Sequence, residues 1–231
     1  QDFLIENKVV KKTSSIVLGK GSISGVDLDR FRADPIVRKQ VRLDLTTPDN
    51  IIVFLFLGRI KKEKGILELT EAFSRVHQKY KNTVLWVVGP DEDSLYPKLE
   101  KITGIRLIPF TNSPERYMAA SDIFCLPSYR EGFGSVIIEA GACGIPSIGS
   151  NIYGLSDAIV DGETGILISL KSVNELESAM ELLVNDRKLC QKMGKAAYER
   201  SKSLFPQDAL TKQLMDLYKD LLQGYAHKVL D

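Results

Sequence analysis

The chain has 231 residues, 44% of them hydrophobic and 26% charged, with a formal charge of +1. That composition suits a soluble globular protein with a full buried core, and the near-zero charge argues against a broad nucleic-acid or acidic-membrane surface. No apolar run approaches the roughly 20 residues that span a bilayer, and no signal-peptide pattern is read at the start.

In chain order, a short strand is expected at Ser15 to Leu18, followed by a turn-rich stretch from Gly19 to Asp27. Asp34 to Gln40 reads as a charged surface helix ahead of a loop at Thr46 to Asn50. Lysine clusters at Lys8, Lys11, Lys12 and at Lys61, Lys62, Lys64 could serve as local contact points. From there apolar runs alternate with amphipathic stretches. Strands are predicted at Ile51 to Leu57, Thr83 to Val88, Ile105 to Pro109, Asp122 to Pro127, Ile145 to Gly149 and Gly165 to Ile168. Helices are predicted from Gly65 to Tyr80, Ser94 to Ile102, Ser113 to Ala120 and, after a glycine turn, through Glu139. Beyond Ser172 the pattern is helical: Val173 to Val184, Asp186 to Lys202, and Pro206 to about Tyr225.

Continuous apolar strands, each followed by a helix, indicate a parallel sheet covered on both faces. The expected fold class is α/β: a Rossmann-like, doubly wound parallel sheet of about six strands. Its ligand belongs at the carboxyl ends of the strands, where Gly58-Arg59, Gly89-Pro90, Pro109-Phe110 and Ser128 to Ser135 fall.

The stretch Arg130 to Pro146 is the most informative. Glu131 precedes a turn, Gly132-Phe133-Gly134, that opens an apolar helix, and Glu139 follows about one turn inside it. Such a turn lets backbone N–H groups face an anion while the helix dipole favours it. One acid can then reach the group held by the turn and the other can reach along the ligand. This suits a molecule with a phosphate in the middle and hydroxyls at both ends, as in a nucleotide sugar. Arg59 and Lys64 stand at opposite ends of a short loop after the first strand and could clamp a diphosphate, Arg as a fork and Lys as a point charge. Asp91-Glu92-Asp93 reads as a solvated turn that starts the next helix, so no protein-bound metal is expected. Cys125, Cys143 and Cys190 lack metal-type spacing and read as reduced thiols, while His77 and His227 are too far apart to form a site.

Taken in order and spacing, Gly58-Arg59…Lys64-Gly65, Val88-Gly89-Pro90 and Glu131-Gly132-Phe133-Gly134…Glu139-Ala140…Gly144-Ile145-Pro146 resemble family 4 of the retaining glycosyltransferases. The likeness runs from about Ser15 to the C-terminus. Gly25-Val26-Asp27…Phe31 resembles the linker between that family's two domains, and Asp161 to Gly165 a turn before its last short strand.

The resemblance implies half of a GT-B enzyme, in which two Rossmann-like domains face each other. Residues 1–48 would be linker and the residual end of an N-terminal domain. Residues 49–205 would form the nucleotide-sugar-binding domain, and 206–231 a helix that crosses back. It also implies residue roles. Arg59 and Lys64 would hold the diphosphate, Glu139 the ribose, and Glu131, as the catalytic carboxylate, the donor sugar. Gly89, Gly132, Phe133, Gly134, Ser135 and Val136 would surround sugar and phosphate, and Pro109 and Phe110 would line the base.

No cofactor is implied beyond the nucleotide-diphosphate sugar itself, as substrate. The expected activity is sugar transfer from a UDP- or GDP-sugar to an acceptor hydroxyl, with retention, in polysaccharide or glycoconjugate biosynthesis. The acceptor, a glycan or lipid-linked sugar, would bind through the other domain, without which the fragment is expected to be inactive. No nucleic-acid partner is expected. The location implied is cytoplasmic, with peripheral association of the intact enzyme at the inner membrane face, although the basic N-terminal segment also reads as a simple linker. A sugar-nucleotide epimerase of GT-B architecture and a non-catalytic binding domain are the alternative readings.

Overall fold

The computed structural model describes residues 2–22 and 24–229, except the side chains of residues 3, 14 and 224–229; the side chain of His227 therefore lies outside the described residues. Six strands form one parallel sheet: β1 (Ile52–Leu57), β2 (Thr83–Val88), β3 (Ile105–Ile108), β4 (Ile123–Leu126), β5 (Ser147–Ser150) and β6 (Gly165–Ile168). Their order across the sheet is β3-β2-β1-β4-β5-β6, the doubly wound order with its reversal between β1 and β4. The central pair β1 and β2 is aligned over its whole length, from Ile52 opposite Thr83 to Leu57 opposite Val88. Val53, Phe54, Leu55 and Phe56 are all fully buried. Because successive strand side chains point to opposite faces, both faces of the sheet must be covered.

Ten α-helices are described: α1 (Asp2–Glu6), α2 (Pro35–Asp44), α3 (Ile66–Lys79), α4 (Tyr96–Leu99), α5 (Pro114–Ala120), α6 (Ser135–Ala142), α7 (Leu155–Ala158), α8 (Val173–Asn185), α9 (Arg187–Leu204) and α10 (Gln207–Val229). Helix α3 packs on α8, while α2, α5, α6 and α9 form a second contiguous group. Among the described residues no helix is long and apolar enough to cross a membrane.

Three expectations are corrected. Ser15 to Leu18 is not a strand: it lies outside the six-stranded sheet as irregular backbone, and Ile16 and Val17 stay exposed. The helix expected from Ser94 to Ile102 is a single turn, because the Asp91 carboxylate takes the N–H groups of Leu95 and Tyr96 and the chain turns back at Ile102 into β3. The helix expected as a charged surface element at 34–40 runs on to Asp44 and buries Val41 and Arg42. Asp34 caps it by accepting from Ile36 and Val37, with Pro35 at the first helical position.

Arg42 anchors that helix. Its guanidinium donates to the carbonyls of Ala120, Pro48 and Ile51 and to Asp122 at 2.7 Å. Asp122 also receives Arg38 at 3.0 Å, Arg187 at 3.3 Å and the Val53 amide at 2.8 Å, so one carboxylate ties α2, α9, β1 and β4 together. His77 is structural too. Its ring stacks on Phe73 and meets Thr83, and burial, followed by nearby Lys81, keeps its pKa below the ordinary value.

Candidate functional site

The sequence-predicted residues gather at the carboxyl end of the sheet. Gly58 and Gly89 follow β1 and β2, and Gly89 N–H donates to the Ile108 carbonyl at the end of β3. Pro109 and Phe110 come next and are exposed, the Phe110 residue by 66%. The β1 and β4 loops are knitted together: Tyr129 N–H donates to the Glu63 carbonyl at 2.8 Å, the Tyr129 hydroxyl to Glu68 at 2.7 Å, and Arg130 pairs with Glu63 at 3.2 Å. Burial, then Glu68, pushes the Tyr129 phenol up to about 12.

At the seam between these loops the Lys64 ammonium donates to the Glu131 carboxylate at 2.7 Å. Both side chains are more than four-fifths shielded, so the pair is far less screened than a surface one. Gly132 faces open space, with no heavy atom near where its Cβ would stand. Gly134 is left-handed (φ 67°) and begins α6. A Cβ there would meet the Leu155 side chain at 2.6 Å, so backbone twist and tight packing both call for glycine. Gly154 (φ 88°) presses on the same turn from β5: a Cβ there would lie 2.8 Å from the Glu131 carbonyl.

Phe133 packs edge-on against Phe205 with ring centroids 5.4 Å apart. The ring is partly buried by that contact, and the expected role of this stretch rests on its backbone groups. Ser135 and Val136 form the first turn of α6, half-buried. Glu139 lies on the next turn, and burial raises its pKa, with Arg30 acting against that and Glu115 adding to it. Arg30 itself pairs with Glu115 at 2.9 Å and donates to the Asn112 carbonyl, joining the predicted linker to the loop that carries Phe110.

Arg59 stands apart from Lys64. Its side chain is half-exposed and meets Glu92 at 3.3 Å, while Lys61 reaches the same carboxylate at 3.0 Å. The acidic triplet is therefore not simply a solvated turn. Asp91 caps α4, Glu92 holds Arg59 and Lys61, and Asp93 accepts from the Lys62 amide at 2.8 Å. Sequence reading missed Glu92 and Arg30. The signal for Glu92 was available: an acidic turn and a basic loop follow adjacent strands and must face each other.

Comparison with known proteins bears on this arrangement. Residues 37–200 match the profile of the glycosyl transferases group 1 family. The chain belongs to that family. It is 30% identical over 226 residues to the capsular polysaccharide biosynthesis glycosyltransferase CapM of Staphylococcus aureus, covering 95% of this chain and 59% of CapM. The crystallised C-terminal domain of the group 1 glycosyl transferase LpcC from Francisella tularensis is 27% identical, with a TM-score of 0.69. That match covers 78% of this chain and 98% of the LpcC domain, so the sheet described above is the counterpart of that domain. Anabaena Alr3699/HepE, crystallised with UDP-glucose, shares the fold at a TM-score of 0.77 and 20% identity, over 85% of this chain and 56% of its own. The chain spans about half the length of the curated relatives it matches.

Proposed function

We propose that this chain is the donor-binding half of a retaining glycosyltransferase. The enzyme would move a sugar from a nucleotide-diphosphate sugar, UDP- or GDP-linked, to an acceptor hydroxyl during polysaccharide or glycoconjugate synthesis. The observation that carries the reading is the Lys64–Glu131 pair beside open space at Gly132, at the carboxyl ends of β1 and β4. It sets a cation for phosphate next to a carboxylate for sugar hydroxyls, at the start of a helix whose dipole favours the leaving diphosphate. CapM supports the pathway by its name, and the UDP-glucose complex of HepE supports the ligand class.

In this reading Arg59 and Lys64 neutralise the diphosphate without a bound metal, Glu131 orients the sugar or stabilises developing charge, and Glu139 accepts from the ribose. The Phe110 ring lies against the base. The acceptor site belongs mainly to a second domain. The intact enzyme works in the cytoplasm, at the inner membrane face.

Calorimetric titration with UDP, GDP and ADP, without added metal, tests the reading. One nucleotide is expected to bind, and Arg59→Ala should weaken it about tenfold or more while leaving the bare nucleoside unaffected, the scale of a lost charge-assisted contact. Equal losses for nucleotide and nucleoside would remove Arg59 from the phosphates.

Glu139→Gln is expected to cost roughly 1–3 kcal/mol of nucleotide binding while raising stability at neutral pH. The sign follows from its raised pKa: the ionised form is disfavoured in the folded chain, so a stability penalty enters as pH climbs through that value. Thermal unfolding of variant and parent should therefore coincide in acid, where both side chains are neutral, and separate in the variant's favour toward pH 7. A variant less stable than its parent at pH 7 would contradict this.

A further inference from the structure

We infer that Tyr129 is a positioning residue for the donor phosphates: through Glu68 it holds the β4 loop against the start of α3 when a nucleotide takes Lys64 away from Glu131. This rests on the donor-site reading above and adds a part that touches no ligand. Two side-chain bonds cross the seam between these loops. Lys64 donates to Glu131 at 2.7 Å, and the Tyr129 hydroxyl donates to Glu68, also at 2.7 Å. Lys64 and Glu68 stand four residues apart across the start of α3, and Tyr129 and Glu131 two apart on the β4 loop, so the bonds lie side by side like rungs. A diphosphate held by Lys64 breaks the first rung. The second involves no cation that a phosphate could take. Burial, followed by Glu68, pushes the Tyr129 phenol up to about 12, so it keeps its proton and goes on donating.

The cost of the second rung points the same way. Glu68 is half-buried, and its other carboxylate oxygen is enclosed with no hydrogen-bond partner among the described residues. Enclosing an acid on so few bonds lowers stability, so packing alone gives no reason to have one here. The rest of Tyr129 is fixed independently. Its N–H donates to the Glu63 carbonyl at 2.8 Å. Lys171, in left-handed backbone (φ 61°), sets its ammonium 4.4 Å from the centre of the ring. Gly65, also left-handed (φ 70°), sits so close to the Pro127 carbonyl that a Cβ would collide with it. The seam is thus already closed at the backbone, and the hydroxyl is left to set how Lys64 and Glu131 stand to one another.

Calorimetric titration of the 231-residue chain with UDP, GDP and ADP, and with the nucleoside of whichever binds, tests this. Tyr129→Phe keeps the ring and its Lys171 contact and removes only the hydroxyl. It is expected to weaken the nucleotide about fivefold, the scale of one lost hydrogen bond, and to leave the nucleoside unchanged. Glu68→Ala breaks the same bond from the other side and should repeat the loss. Glu68→Gln keeps an acceptor for the hydroxyl and should stay within about twofold of the parent. In a Lys64→Ala background, Tyr129→Phe should add less than about a twofold loss, because it acts through Lys64. Unchanged nucleotide affinity in Tyr129→Phe overturns the inference. So does an equal loss for the nucleoside, or the full loss in the Lys64→Ala background, since a merely structural role would produce either. Glu68→Gln as weak as Glu68→Ala overturns it too, because charge and not the bond would then matter. A parent that binds nucleotide and is matched by Tyr129→Phe rejects this inference alone. A parent that binds no nucleotide rejects the donor reading and this inference with it.

Discussion

Asp122→Ala is expected to lower the unfolding free energy by about 3–5 kcal/mol, the cost of removing one partner from a buried ion pair. Arg42 is almost wholly buried against it, with a side-chain exposure of 2%, and would keep its charge with only carbonyl partners. Burial already lowers the Arg42 pKa, Asp122 opposes that, and Arg38 adds to the lowering. Removing the carboxylate would leave Arg42, Arg38 and Arg187 facing one another and the Val53 amide without its acceptor. A midpoint drop of roughly 10 °C follows for a domain of this size. Arg187→Ala provides the contrast. Its contact to Asp122 is longer, at 3.3 Å, and its side chain is 40% exposed, so the loss should stay within about 1 kcal/mol. Thermal unfolding of both variants would check this, and an Asp122→Ala loss no larger than that of Arg187→Ala would mean that buried Arg42 does not depend on the carboxylate.

Lys64→Ala and Glu131→Gln should move nucleotide affinity in opposite directions. The ammonium and carboxylate neutralise each other at 2.7 Å. A diphosphate that takes Lys64 must first displace Glu131. Deleting the ammonium removes a charge-assisted contact and leaves a shielded carboxylate to repel the phosphates, so UDP or GDP affinity should fall about 10- to 100-fold. Neutralising the carboxylate frees the ammonium, so the same nucleotide, carrying no sugar, should bind several-fold more tightly. If Glu131 holds the sugar as proposed, the sugar-bearing donor should lose that gain. Calorimetry with nucleotide and nucleotide sugar on both variants separates these effects, and loss of bare-nucleotide affinity in Glu131→Gln would show the pair acting as one unit.

β1, β2 and β4 were legible because each is a largely apolar run closed by glycine or proline, and β2 and β6 fall where Thr83 to Val88 and Gly165 to Ile168 predict them. Ser15 to Leu18 carries the same local signal, but a strand exists only when another strand pairs with it, and that is not written locally. The gathering of Arg59, Lys64, Glu131 and Gly132 at one end of the sheet follows from periodicity and the strand-end rule alone. Which cation faces which acid does not follow. The pairs Lys64–Glu131 and Arg59–Glu92 join loops 67 and 33 residues apart. Phe133 shows the same limit, since its neighbour Phe205 lies in a different part of the sequence. Arg42 was invisible as an anchor because a lone arginine in a charged helix reads as solvated until Asp122 is placed beside it.

The three cysteines have a practical use. All are free and buried, and burial pushes Cys143 up to about 12 and Cys190 up to about 11, with Cys125, wholly enclosed in β4, higher still. Thiolate is the reactive form. Buried and protonated, the three thiols should react only slowly with maleimide reagents near neutral pH, so a single cysteine introduced on an exposed loop is expected to take a fluorophore or spin label without first stripping the protein of its own thiols.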